Sequence, residues 1–179
     1  MRTMNTHFTK ILTVIGFTVV AALAAHAVPS SGATGTATAT AEIVAGIQII
    51  HLNAADLKFG QVIPSIYGDG TVTIAPDSSR TYAGVDVINS NSYTAAHFKV
   101  SGAANTSFGI TLPTSIYLQL SEDASVTMLV DQFTSNPSGN GMLDATGAAN
   151  LDVGATLHVH ANQRHGRYDA PFSVTVAYN

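Results

Sequence analysis

The sequence predicts an all-β fold, an Ig-like antiparallel β-sandwich. Short runs rich in valine, isoleucine, threonine and aromatics recur along the chain, a composition that suits half-buried strands. Turn residues separate these runs at roughly the 8–12-residue spacing of sandwiches and barrels. No window after residue 27 carries a sustained i, i+3, i+4 apolar stripe, so no amphipathic helix is expected. A closed barrel is the second architecture this pattern admits. The chain has no cysteine, so its stability must come from buried apolar faces and not from cross-links.

The first 27 residues read as a secretory signal. Arg2 and Lys10 precede an apolar run from Ile11 to Ala25, and "AHA" (Ala25 to Ala27) supplies small residues at the two positions a signal peptidase reads. Cleavage is expected after Ala27. The apolar run is shorter than the roughly 20 residues of a spanning helix, so no membrane span is expected after cleavage. The remaining chain would be exported, to the periplasm, the cell surface or the extracellular space. It keeps five bases against eleven acids, a net charge of −6 with histidine neutral. That balance argues against nucleic acid and anionic membrane surfaces as partners.

Residues 28–35, "VPSSGATG", read as a flexible lead. A single domain is expected over 36–179. It would open on "TATATAEIV", where Ala37, Ala39, Ala41 and Ile43 share one face of a Thr36–Val44 strand. Strand runs follow over 46–52, 57–63, 71–75 and 80–88, with turns at "GDG" and "PDSS" between them. After the turn "NSNS" (Asn89 to Ser92), further runs cover 97–102, 106–113, 116–120, 125–133 and 149–161.

The chain closes on "GRYDAPFSVTVAYN". Gly166, Tyr168, Ala170, Phe172, Val174, Val176 and Tyr178 share one parity, and the opposite parity is mostly polar. Pro171 cannot donate a ladder hydrogen bond, which makes this an edge strand. An apolar-faced edge is a surface that proteins either hide or use.

Nothing in the sequence assembles a catalytic nucleophile. There is no Gly-x-Ser-x-Gly, no cysteine and no glycine-rich phosphate loop. Glu122 and Asp123 fall in a turn, and Asp69 and Asp77 each stand alone in a turn, without the alternating oxygen ligands of a calcium loop. "NTS" at Asn105 is a glycosylation sequon. Lys58 and Lys99 each lie between apolar neighbours and so point outward, which disfavours a covalent Lys–Asn cross-link. The chain is therefore not expected to be an enzyme or to need a cofactor, and no catalytic residue is assigned.

The candidate metal ligands are His158 and His160, two apart on one strand face, with His165 as a third nitrogen past a turn. The competing reading places Leu157 and Val159 in the core and the two histidines in solvent.

Two resemblances emerge from these residues. The blocks "TATATAEIV", "ADLKFGQVIPS", "GTVTIAPDSSRT", "FKVSGAANTSFGITLP", "VDQFTSNPSGNG" and "LHVHANQRHGRYDAPFSVTVAYN" resemble, in that order, the bacterial family called domain of unknown function 4402. That resemblance implies a secreted β-sandwich and no particular chemistry. The last segment alone is similar to the end of chaperone–usher pilus subunits, with a penultimate tyrosine (Tyr178) and a glycine fourteenth from the end (Gly166). It implies that Gly166, Tyr168, Phe172, Val174, Val176 and Tyr178 border a groove for an added strand. The partner would be a periplasmic chaperone or another copy of the chain. Set against it is a self-contained secreted sandwich that acts as a binding module.

Overall fold

The computed structural model describes residues 32–52, 55–88 and 92–179. The expected signal segment, its cleavage site and most of the "NSNS" turn lie outside the described residues. The chain divides into two units, Met1–Ala41 and Glu42–Asn179. Residues 32–41 of the first unit are exposed and form no regular structure.

Among the described residues of the second unit, the regular structure is all antiparallel strand. Its first strands are β1 (Gln48–His51), β2 (Lys58–Phe59), β3 (Val62–Ile63), β4 (Gly70–Ile74), β5 (Arg80–Ala83) and β6 (Asp86–Val87). Next come β7 (Tyr93–Thr94), β8 (Ala96–Ser101), β9 (Ser107–Thr111), β10 (Ser115–Leu120) and β11 (Asp123–Asn136). The last four are β12 (Asn140–Met142), β13 (Ala148–Val159), β14 (Tyr168–Asp169) and β15 (Thr175–Tyr178).

The expected strand over Thr36–Val44 does not form. These residues are exposed and lie in no strand, and Ile43 is 97% exposed. The reason is physical. Alanines at three of its four inward positions bury too little apolar surface to offset the entropy of ordering the segment. Two other expected runs are each divided in two, 57–63 at Gly60 and 80–88 at Gly84. Two short strands fall outside the expected runs: β7 directly follows the "NSNS" turn, and β12 lies between the runs over 125–133 and 149–161.

The long sheet runs in the order β1-β8-β13-β11-β10-β14, and β4 and β5 join it through β13. β13 is its spine. Residues 148–153 pair with β8, residues 155–159 pair with β4, and the opposite edge pairs with β11. The change of partner falls at Gly154, where any Cβ would collide with the Ile74 carbonyl. Glycine lets the two backbones approach there.

A second sheet, β12-β9-β15, packs over part of the long one. Beneath it lies an apolar cluster that includes Val100, Phe108, Leu143, Leu151 and Val153. A second cluster, with Val72, Ile74, Val130, Leu157 and Val159, lies against the two-stranded pairs β2–β7 and β3–β6. Strand alternation sorts the faces: on β11, Met128 and Val130 are buried while Leu129 and Asp131 between them are not.

Candidate functional site

The last segment keeps its parity throughout. Every even residue from 168 to 178 is half-buried, and every odd residue from 167 to 179 is exposed. It does not, however, form one strand. β14 pairs with β10, through Tyr168↔Leu120 and Asp169↔Gln119. β15 pairs with β9, through Val176↔Ile110 and Tyr178↔Phe108. Residues 170–174 cross between the two sheets and belong to no strand. Both ends are edges: β14 terminates the long sheet and β15 the short one. Pro171 itself lies in the crossing and in no strand, so the edges are the short strands on either side of it.

Beside this crossing the sandwich is open. A groove of about 1080 Å³ runs between residues 57–64 and residues 166–172. Its floor is the inner face of β10, β11 and β13, which presents Ile116, Leu118, Met128, Val130, Leu157 and Val159. Leu57, Phe59 and Val62 line one side, and Tyr168, Ala170 and Phe172 line the other.

The C-terminal wall is fixed by specific contacts. Gly166 has φ +145°, and a Cβ there would meet the Leu120 side chain. The Tyr168 hydroxyl donates to the Arg164 carbonyl at 2.8 Å and accepts from Gln163 Nε2 at 2.9 Å. Phe172 packs on Phe133 and Phe98, with ring centroids 5.5 and 6.3 Å away. Val174 and Val176 pack onto the cluster under the short sheet. The Tyr178 hydroxyl accepts from Ala103 N at 2.6 Å and donates to the Ala45 carbonyl at 2.7 Å.

Charges at the rim are paired. Lys58 lies 3.6 Å from Asp56, Arg164 lies 2.9 Å from Asp123, and Arg167 lies 3.5 Å from Asp169. Hydrogen bonds from Ser125 and then the Arg164 guanidinium hold the Asp123 carboxyl below its ordinary range. The rim therefore presents little uncompensated charge above an apolar floor.

His158 Nε2 sits 2.7 Å from Asp131, and His160 Nδ1 sits 3.0 Å from Asp69. The Ala161 amide and then His160 hold Asp69 below its ordinary range. His165 lies at the groove. Among the described residues, no group of three or more histidine, cysteine, aspartate or glutamate side chains is placed to hold a metal ion. His158 and His160 thus border one small hollow, each with its own aspartate, while His165 lies at the groove. These partners lie 27 and 91 residues away in sequence, so no local pattern marks them.

The geometry defines a class, an open all-antiparallel β-sandwich with an apolar groove along its C-terminal edge. The chain belongs to the family described as "Domain of unknown function (DUF4402)", which matches residues 49–178. No curated protein matches the chain.

Proposed function

We propose that this protein is an exported, non-enzymatic structural or adhesion subunit, of the fimbrial kind, that assembles by β-strand complementation. The observation that carries the reading is the groove beside residues 170–174. An apolar floor is open there, and the adjoining backbone crosses from β14 to β15 outside any strand. An added strand gains main-chain hydrogen bonds from such an edge and register from alternate side-chain pockets.

The occupant is the Thr36–Val44 segment of a second copy. It already alternates, it is exposed, and it stands in no strand. Its nine residues would extend about 30 Å in a strand. Its alanines are small, and Ile43 is the large residue sharing their parity. A periplasmic chaperone would occupy the same edge before assembly, because an open apolar groove invites aggregation.

The test is the size distribution of the purified protein, with and without residues 28–44, measured across micromolar concentrations. Oligomers that require this segment, and a synthetic 34–47 peptide that binds the shortened protein, are the expected results. A full-length protein that stays monomeric and a shortened one that ignores the peptide would sink the proposal.

A further inference from the structure

The second layer of the sandwich is in two pieces. The sheet β12-β9-β15 covers one apolar cluster, and the two-stranded pairs β2–β7 and β3–β6 lie against the other. The groove runs between those pairs and the C-terminal crossing that leads into β15. It therefore has two walls, and the wall at 57–64 has a pairing edge of its own.

β2 and β3 each have one strand neighbour among the described residues, β7 and β6 respectively. Residues 57–62 line the groove, whereas Tyr93–Thr94 and Asp86–Val87 do not. The partner strands thus lie behind the wall, and the unpaired edges of β2 and β3 face the groove. Hydrogen bonding gives the same direction. The Gln61 carbonyl accepts from Ile88 N at 3.0 Å, on the β6 side. Backbone groups alternate sides along a strand, so the amide and carbonyl of Val62 point the opposite way. No proline interrupts 57–63, so every residue there keeps its N–H. The C-terminal wall contains Pro171, which has none.

The wall at 57–64 is held from behind. Arg80, on β5, donates from Nη1 to the Phe59 carbonyl at 3.3 Å and from Nη2 to the Ile88 carbonyl at 3.4 Å. Its guanidinium carbon stands 4.1 Å from the centre of the Tyr93 ring, and Tyr93 is the cross-strand partner of Phe59. One side chain therefore ties β2, β7 and the end of β6 to β5, which belongs to the long sheet. Gly60, with φ +83°, turns the chain between β2 and β3, and a Cβ there would lie 2.7 Å from Arg80 Nη1.

We infer, resting on the strand-complementation reading, that the added Thr36–Val44 strand of a second copy pairs on both sides. One side meets the crossing, and the other meets the free edge of β2 and β3. The added strand then lies inside the second layer and joins its two pieces. A strand paired on one side alone leaves half its amides and carbonyls without a protein partner, and the second wall takes these up. Successive residues turn their backbone groups to opposite sides. Thr36, Thr38 and Thr40 therefore pair with one wall, and Ala37, Ala39 and Ala41 with the other.

Three synthetic 34–47 peptides test this on the full chain carrying Ile43→Asp, whose own segment then does not compete. One is unmodified, one is N-methylated at Thr36, Thr38 and Thr40, and one at Ala37, Ala39 and Ala41. N-methylation removes the amide donor and blocks pairing on the side it faces. Each modified peptide should bind about tenfold or more weakly than the unmodified one by fluorescence anisotropy. Amide exchange in 57–63 should slow when the unmodified peptide is added. A modified peptide that binds as well as the parent, or exchange in 57–63 that stays unchanged, would overturn two-sided pairing and leave strand addition at the crossing standing. No binding of the unmodified peptide would overturn both.

Discussion

The hydroxyl of Tyr178 donates a 2.7 Å hydrogen bond to the carbonyl of Ala45, 133 residues away in the chain. The same oxygen accepts from the amide of Ala103, in the turn after β8. The penultimate residue therefore ties together three stretches of the second unit: the segment before β1, the β8–β9 turn and the last strand. Replacing Tyr178 with Phe keeps the ring and removes both bonds. A loss of about 1–3 kcal/mol is expected, since an amide and a carbonyl are left without their partner. Urea unfolding measures it, and an unchanged midpoint would show that the hydroxyl is dispensable.

Gly154 tests the spine of the long sheet. A methyl group there meets the Ile74 carbonyl and the Ala75 backbone, neither of which is the end of a flexible side chain. Gly154→Ala should cost about 1–3 kcal/mol through overpacking. A variant as stable as the parent would mean that β13 and β4 can separate without loss.

Assembly and folding separate at Ile43 and Phe172. Ile43 is 97% exposed, so Ile43→Asp should change unfolding by no more than about 0.5 kcal/mol. The same change should lower the assembled fraction sharply. Phe172→Ala removes contacts with Phe133 and Phe98 at the groove wall. Its side chain is half-buried, so a loss of about 2 kcal/mol is expected, below the 3–5 of a fully buried phenylalanine. Sedimentation of the two variants beside their urea curves distinguishes the effects.

Acid should weaken the fold in part through Asp144. Its carboxylate accepts from the Thr146 hydroxyl at 2.6 Å, the Thr146 amide at 2.7 Å and the Ala148 amide at 3.0 Å. These bonds, the Thr146 side chain foremost, hold its pKa below the ordinary aspartate value. A depressed folded-state pKa stabilises the fold above the unfolded value of about 3.9, and this contribution is lost as pH falls through the folded value. Asp144→Asn should therefore be less stable than the parent at neutral pH, and the gap should close on acidification below about pH 4. Thermal melts from pH 7 to pH 2 measure this, and a gap that stays constant with pH would refute it.

Much of the fold was legible from one-dimensional pattern. The alternation from Tyr168 to Tyr178 appears residue for residue in the burial of the last segment. The runs ending in β4, β8, β9, β10, β11 and β13 were each anticipated to within a few residues. Such runs are readable because every second side chain must enter the core, and that requirement is written locally. The Thr36–Val44 segment departs from this rule. Its alternation is as clean as that of the last strand, yet it joins no sheet of its own chain, because its alanines offer little apolar surface there.

Tertiary structure alone decided how the edges and the faces are used. The sequence marks 166–178 as one amphipathic edge, but only the packing of two sheets divides it into β14, a crossing and β15. The apolar residues of β10, β11 and β13 were recognisable as inward-facing, and only the fold leaves some of them uncovered along the groove. Tertiary structure likewise places Asp131 beside His158 and Asp69 beside His160, and so gives each histidine a carboxylate partner. Local side-chain chemistry fixes which face a residue takes. What stands opposite that face depends on pairings between strands far apart in the chain, and those are set by the closure of the whole domain.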